Sequence, residues 1–552
     1  MSLLSRIVAR LADLPPARLQ RVGVARDLPV TAPDGVVLLA DRYYPLANAA
    51  PDNSAPIILV RTPYGRGNLG AILGQVFAER GYQVVVQSVR GTFGSGGKFN
   101  AFRNEERDGQ ATLAWLAEQP WFSGAVGMMG ASYYGFTQWS VANNAPPWLK
   151  AMAPHITASQ FRSLSYPGES FDLATAINWL DTMHTQETAS PWQALLGRRR
   201  HLAPAYATTP LNQADQAATG QTVPYYQDWL VHNIPGDPWW DAIDFGRQMS
   251  DVTPAMHLIA GWHDIFLPYQ LADYQALRQV GKQPYLTIGP WIHTSLASQA
   301  VALRESLAWL DAQLRDDRSH LRAAPVRIYV MGANQWREAP DWPPATTPTR
   351  WYLRAARGLA PDAPTPATDA LPDTYTYDPQ RPTPAAGGIF LGPGSGPQDN
   401  RALEARPDVL AYTGAPLERD LEIIGPVQAE VSFASSTPYT DVFVRLCDVA
   451  PGGRSRTVCD GLRRLTPDVF PPDANGVRRV QVDLWPTAYR FVRGHRVRLL
   501  VASGAHPVYA RNPGSGEPLG TATTFVVAEQ RVYHDAARPS SVTLPVVGTG
   551  AG

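Results

Sequence analysis

What this 552-residue chain lacks removes several classes of protein before any motif is read. Its two cysteines, Cys447 and Cys459, are too few for a disulfide framework or a cysteine metal site, and they read as reduced thiols. Basic and acidic residues number 48 each, so the formal net charge is +0 and there is no basic footprint for nucleic acid. Lysine is nearly missing, with only Lys98, Lys150 and Lys282, so the positive charge is almost all arginine. No apolar run reaches the roughly eighteen residues a membrane-spanning helix needs, so no membrane association is expected. The opening MSLLSRIVARLADL has helical spacing of apolar residues and arginines, but neither a long apolar core nor a small-residue cleavage site. A cytoplasmic location is the expectation.

What is present reads as a globular protein. Hydrophobic residues make up 44% and charged residues 17%, a balance that supports large cores. At about 100 to 250 residues per domain, two or three domains are expected. Residues 28–45 read as two strands joined by the Asp34-Gly35 turn, a strong hairpin signal. Apolar strands then follow at 56–61, 82–88, 125–130 and 149–154, with helical patterns at about 69–80, 105–118 and 132–144. This alternation implies a mostly parallel sheet covered on both faces.

From Thr157 to about Ser250 the rhythm stops, and the segment is helical in character and rich in aromatics, Phe171, Trp179 and Trp192 among them. The alternation resumes with MHLIAGWHD (256–264), a helix at about 267–280 and PYLTIGPWIH (284–293). After the proline-rich stretch Ala339 to Thr349 the chain is mostly β, with EVSFAS, DVFVRLCDV and RVRLLVAS as strands. The expected division is an α/β core over 1–156 and 251–345, an inserted helical cap over 157–250, and a β-sandwich or jelly roll over 346–552.

GMMGASYYG, Gly127 to Gly135, has the form of a nucleophile elbow with Ser132 at its apex. In the generic elbow glycine stands two residues either side of the serine. Gly130 fits the first place, but Tyr134 occupies the second and the glycine is displaced to Gly135. On the pentapeptide alone, Ser132 could equally cap the following helix. Order along the chain weighs the other way. An α/β-hydrolase presents serine, then an acid, then histidine, each on a loop after a sheet strand. Asp264 directly follows MHLIAGWH and His293 directly follows PYLTIGPWI. Taken singly, Asp264 reads as a helix cap and His293 as a turn histidine; together, in that order, they make a catalytic set. His263 is a competing base that ranks behind His293. Two donors must face the developing oxyanion: the Tyr133 backbone N–H, next to the nucleophile, and Tyr64, at the end of IILVRTPY.

Taken in order, APDGVVLLADRYYP, RTPYG, QSVRGTFGSGGKF, GASYYG, GWHD, GPWIH and VQVDLWPTAYRFVRGHRVRLLVAS resemble the cocaine esterase and Xaa-Pro dipeptidyl-peptidase-like α/β-hydrolases, the CocE/NonD hydrolases. The likeness spans about residues 28 to 535. In that family the elbow is written Gly-x-Ser-Tyr-x-Gly, which accounts for Gly135. The resemblance implies Ser132 as nucleophile, Asp264 as acid, His293 as base, and an oxyanion hole from the Tyr64 hydroxyl and the Tyr133 N–H. It also implies a hydrolase core, a helical cap and a C-terminal jelly roll, with no metal or organic cofactor.

Substrate class divides the family. Members similar to α-amino acid ester hydrolases hold an ammonium with carboxylates two or three residues after the catalytic aspartate. Here those places are Phe266 and Leu267. Glu169, Asp172 and Asp181 are the cap acids that could anchor a free amine. Phe171, Trp179 and Phe266 are candidate walls for an apolar acyl or aryl group, and equally candidates for plain core. The expected activity is serine-dependent cleavage of carboxylic esters. The alternative is a dipeptidyl peptidase or amide acylase such as a β-lactam acylase using the same residues. The expected partner is a small ester or amide. The sequence leaves oligomeric state open, a homodimer included.

Overall fold

The computed structural model describes residues 3–19, 21–47, 50–188, 202–366 and 371–548, so Trp192 lies outside the described residues. The chain forms two compact units: Met1–Phe161, Pro238–Gly261 and Phe266–Arg327 in the first, and Arg162–Asp237, Trp262–Ile265 and Ile328–Gly552 in the second.

In the first unit, helix α1 (Leu3–Leu11) precedes an antiparallel hairpin of β1 (Val22–Thr31) and β2 (Val37–Ala47). Gly35 turns it at φ +81°, and Asp34 Oδ1 accepts from the Val36 N–H at 3.3 Å. β1 starts earlier than its sequence suggests, because a bulge between Ala25 and Leu28 lets polar residues into the strand. A two-residue strand β3 (Ala50–Pro51) follows on β2.

Strands β4 (Ile57–Thr62), β5 (Gln83–Ser88), β6 (Val126–Ala131) and β7 (Leu149–His155) alternate with helices α2 (Asn68–Ala78), α3 (Glu105–Ala117) and α4 (Tyr133–Ala142). β8 (Ala255–His263) and β9 (Tyr285–Ile292) complete the sheet of this unit in the order β1-β2-β5-β4-β6-β7-β8-β9. β4 pairs in parallel with β5 and β6, β6 with β7, and β7 with β8. Every residue of β4 and β5 is buried, as expected of central parallel strands covered on both faces. α4 is buried along its whole length, which explains why its sequence lacks a polar stripe. The 20-residue helix Leu296–Arg315 places Leu310 against Gly127 of β6, where a Cβ would lie 2.5 Å from Leu310 Cδ2.

The second unit joins the cap helices to the C-terminal strands. Its strands from Thr347 onward form one hydrogen-bonded sheet in which Leu421–Ser435 pairs antiparallel with Arg478–Phe491, and Thr440–Val449 pairs antiparallel with both Ser455–Leu465 and Arg496–Ala502. EVSFAS, DVFVRLCDV and RVRLLVAS all fall on these strands. Cap residues sit directly on them. A Cβ on Gly168 would lie 1.6 Å from the Leu462 carbonyl oxygen, so only glycine permits that approach. Cys447 and Cys459 are both buried free thiols, and burial pushes Cys447 up to about 12, so neither is a thiolate.

Candidate active site

Strand β6 delivers Ser132 into a backbone conformation that ordinary residues avoid, φ 59° and ψ −122°. Its N–H donates to the His155 carbonyl of β7 at 2.9 Å, and its own carbonyl accepts from Gly135 at 2.8 Å and Phe136 at 3.0 Å, starting α4. The turn is therefore tied to the neighbouring strand on one side and to a buried helix on the other. Both glycines of the motif have a steric reason. At Gly130, φ +142°, a Cβ would lie 2.4 Å from Tyr134 Cβ. At Gly135 it would lie 2.4 Å from Thr157 Cγ2. The displaced glycine is the one that lets α4 approach the chain leaving β7.

His293 follows β9, and its Nε2 lies 3.1 Å from Ser132 Oγ. That is within hydrogen-bonding reach of a nucleophile and its base. Both residues are part-exposed. Asp264 follows β8 directly and is fully buried. Two residues on, the buried Phe266 ring lies 5.7 Å from the His293 ring. His263 is buried, and burial with the nearby Arg456 charge holds its imidazole down at about 4. Another histidine, His155, bonds Ser298 Oγ through Nε2 at 2.7 Å, and burial plus the proximity of His293 lowers it to about 3.

Tyr133, the first residue of α4, is buried, and its phenol is engaged at both ends of the hydroxyl. It donates to Glu105 Oε1 at 2.9 Å and accepts from the Phe102 N–H at 3.0 Å. Glu105 Oε2 lies 3.0 Å from Arg61 Nη2, an ion pair in which neither side chain has more than 3% exposure. Tyr64 is part-buried beside this group, its ring edge-on to Tyr133 at 6.5 Å and tilted to Tyr134 at 5.7 Å. Arg61 and Glu105 were not singled out from sequence. The signal was there: a charged residue inside the apolar strand IILVRT must find a buried partner.

A belt of aromatic rings connects the two ends of this group. Phe102 stacks on Tyr133 at 4.8 Å and on Phe161 at 3.6 Å, and Phe161 meets Phe266 edge-on at 5.8 Å. Of the three candidate substrate-wall residues, Phe266 is thus beside His293. Phe171 and Trp179 belong to the second unit: Phe171 is fully buried against Tyr166 and Tyr226, and Trp179 packs on Tyr225 and Trp229. Those contacts pack both inside the second unit. Among the cap acids, Glu169 pairs with Arg162 at 2.6 Å, and Asp172 caps the helix Leu173–Thr185 by accepting from Thr175 at 3.0 Å. Asp181 is buried on that same helix.

Residues 34–295 match the X-Pro dipeptidyl-peptidase (S15 family), and residues 319–543 match the X-Pro dipeptidyl-peptidase C-terminal non-catalytic domain. The cocaine esterase of Rhodococcus sp. (strain MB1 Bresler) is 32% identical over 95% of this chain and 98% of its own length. The chain belongs to this family of hydrolases. Its fold is that of an α/β-hydrolase followed by a β-rich non-catalytic part. Two solved structures share it along nearly the whole length. An aminopeptidase from a marine sediment Thaumarchaeota archaeon has TM-score 0.82 at 21% identity, covering 97% of this chain and 98% of the other. An α-amino acid ester hydrolase has TM-score 0.81 at 24% identity, with the same coverage of both chains. Among the described residues, no helix is long and apolar enough to cross a membrane.

Proposed function

We propose that this chain is a serine carboxylesterase acting through an acyl-enzyme. The observation that carries the proposal is the 3.1 Å approach of His293 Nε2 to Ser132 Oγ at a positive-φ elbow. With its proton on Nδ1, His293 takes the Ser132 proton as Oγ attacks the acyl carbonyl, and Asp264 is the anion that holds that tautomer and balances the imidazolium. The negative carbonyl oxygen is received by the Tyr133 N–H and the Tyr64 hydroxyl. The tetrahedral intermediate collapses with His293 donating its proton to the departing alcohol. Water, deprotonated by the same imidazole, attacks the acyl-enzyme and releases the acid.

The apolar surroundings of His293 favour an ester without a free ammonium near the carbonyl. Phe266 and Leu267 have 2% and 0% exposure, and neither can pair with a cation by charge. Phe266, whose ring lies 5.7 Å from that of His293, is an apolar neighbour that suits an apolar acyl or aryl group. The relatives of this chain include the match to X-Pro dipeptidyl-peptidase, which keeps a peptidase as the second reading. A matched panel separates the two: p-nitrophenyl acyl esters and an aryl benzoate against Xaa-Pro p-nitroanilides with free and with blocked amines. Ester turnover with inert anilides is expected. Turnover confined to free-amine anilides would overturn the esterase reading.

A further inference from the structure

The buried ion pair beneath the elbow has no part in the steps above, yet it is costly. Arg61 is fully buried in β4, and Glu105 at the start of α3 has 2% exposure. Removing both charges from water is expensive, and apolar residues of similar volume usually do as well or better for stability. Polar neighbours meet the guanidinium on three sides. Arg61 Nε donates to Gln87 Oε1 at 2.9 Å, Nη1 donates to the Glu105 carbonyl at 2.8 Å, and Nη2 faces Glu105 Oε2 at 3.0 Å. Thr112 Oγ1 donates to the same Gln87 oxygen at 2.9 Å. Gly109 clears space for the guanidinium, since a Cβ there would lie 2.8 Å from Arg61 Nη1.

These contacts orient the Arg61 guanidinium, whose Nη2 pairs with Glu105 Oε2, and the remaining carboxylate oxygen, Oε1, accepts from the Tyr133 hydroxyl. Burial raises the Glu105 carboxyl, and Arg61 and the Tyr133 hydroxyl oppose that rise. Tyr133 follows the nucleophile in sequence, so its ring is a lever joined to the peptide that carries the proposed oxyanion donor. Phe102 N–H clamps the same hydroxyl from the other side at 3.0 Å.

We infer that Glu105, held by Arg61, is a positioning residue for the oxyanion hole: it anchors the Tyr133 phenol and thereby fixes the direction of the Tyr133 backbone N–H. The inference rests on the reading of Ser132 as nucleophile and Tyr133 N–H as oxyanion donor. A donor only helps when aimed at where charge develops, so loosening its peptide lowers transition-state binding and leaves substrate binding alone.

The test is Tyr133→Phe, which removes the hydroxyl and keeps the N–H, assayed on a matched pair of p-nitrophenyl ester and thionoester. Sulfur accepts hydrogen bonds poorly, so a well-aimed hole favours the oxygen ester. The expected result is a kcat on the oxygen ester lower by about tenfold, a fraction of the roughly hundred- to thousandfold loss for one missing donor. KM should stay unchanged, and the ester-to-thionoester rate ratio should fall with kcat. An unchanged kcat, or a lowered kcat with an unchanged ratio, overturns the inference. Glu105→Ala should move the ratio the same way, but it strands Arg61 and can unfold the protein, so Tyr133→Phe carries the decision. Failure of the underlying reading looks different: Ser132→Ala would then keep its activity, whatever Tyr133→Phe does.

Discussion

Replacing Gly135 by alanine sets two effects of opposite sign against each other. Gly135 is in the first turn of α4, in a backbone conformation any residue can adopt, so helix propensity alone predicts that alanine stabilises by up to about 1 kcal/mol. The surroundings predict otherwise. The added methyl would stand 2.4 Å from Thr157 Cγ2, 2.7 Å from Thr157 Cβ and 3.2 Å from the Gly130 carbonyl. Ordinary contact begins near 3.5 Å, so the overlap is about 1 Å against a fully buried, β-branched side chain with little rotamer freedom. Overpacking of this kind costs roughly 1–3 kcal/mol, which outweighs the propensity gain at most of that range. The helix must move away from Thr157, and Ser132, three residues earlier, moves with it. Gly135→Ala should therefore melt below the wild type and lose kcat on a p-nitrophenyl ester. Thr157→Gly in the same chain removes both offending atoms and should restore part of each. A Gly135→Ala protein that melts at or above the wild type with unchanged kcat would refute the packing argument.

Two further outcomes follow from the site. Tyr64→Phe deletes one proposed oxyanion donor and should cost about 2.7–4 kcal/mol of transition-state stabilisation, read as kcat against the wild type; an unchanged rate removes Tyr64 from the hole. Asp273 gives a pH dependence. Its buried carboxyl accepts from Ser159 Oγ at 2.6 Å and Ser159 N at 2.9 Å, yet burial, with Asp244 nearby, pushes it up to about 7. A raised folded-state value means that the stability this group contributes is complete below about pH 4 and is lost as pH rises through about 7. Asp273→Asn cannot ionise, so its melting temperature should gain on the wild type between pH 5 and 8, and parallel melting curves would contradict this.

The α/β core was largely legible in the sequence because central parallel strands are short, apolar throughout and separated by strongly periodic helices. PIILVR, YQVVVQS and MHLIAGWHD each sit within a residue or two of β4, β5 and β8. The start of β1 was not legible, because the bulge at Arg26 and Asp27 breaks the alternation that marks a strand. The long helix Leu296–Arg315 was also missed; its glutamate, arginine and aspartate interrupt an apolar face whose partner, Gly127 of β6, is remote in sequence. Ser132 and His293 could be read because a motif and a chain order point to them. The Arg61–Glu105–Tyr133 chain could not be assembled, because each bond joins separate elements and a lone arginine in a strand does not name its partner. Trp179 and Phe171 lean towards core in the sequence, and their ring contacts with Tyr225, Trp229, Tyr166 and Tyr226 could not be read from it.

The central claim is that Ser132 forms the acyl-enzyme. The most direct measurement is a rapid-mixing burst experiment with p-nitrophenyl acetate, paired with fluorophosphonate labelling and peptide mapping of wild type and Ser132→Ala. The account predicts a burst of one p-nitrophenol per active wild-type chain, label on the peptide containing Ser132, and neither burst nor label in the variant. Label on another residue, or full turnover by Ser132→Ala, would contradict it.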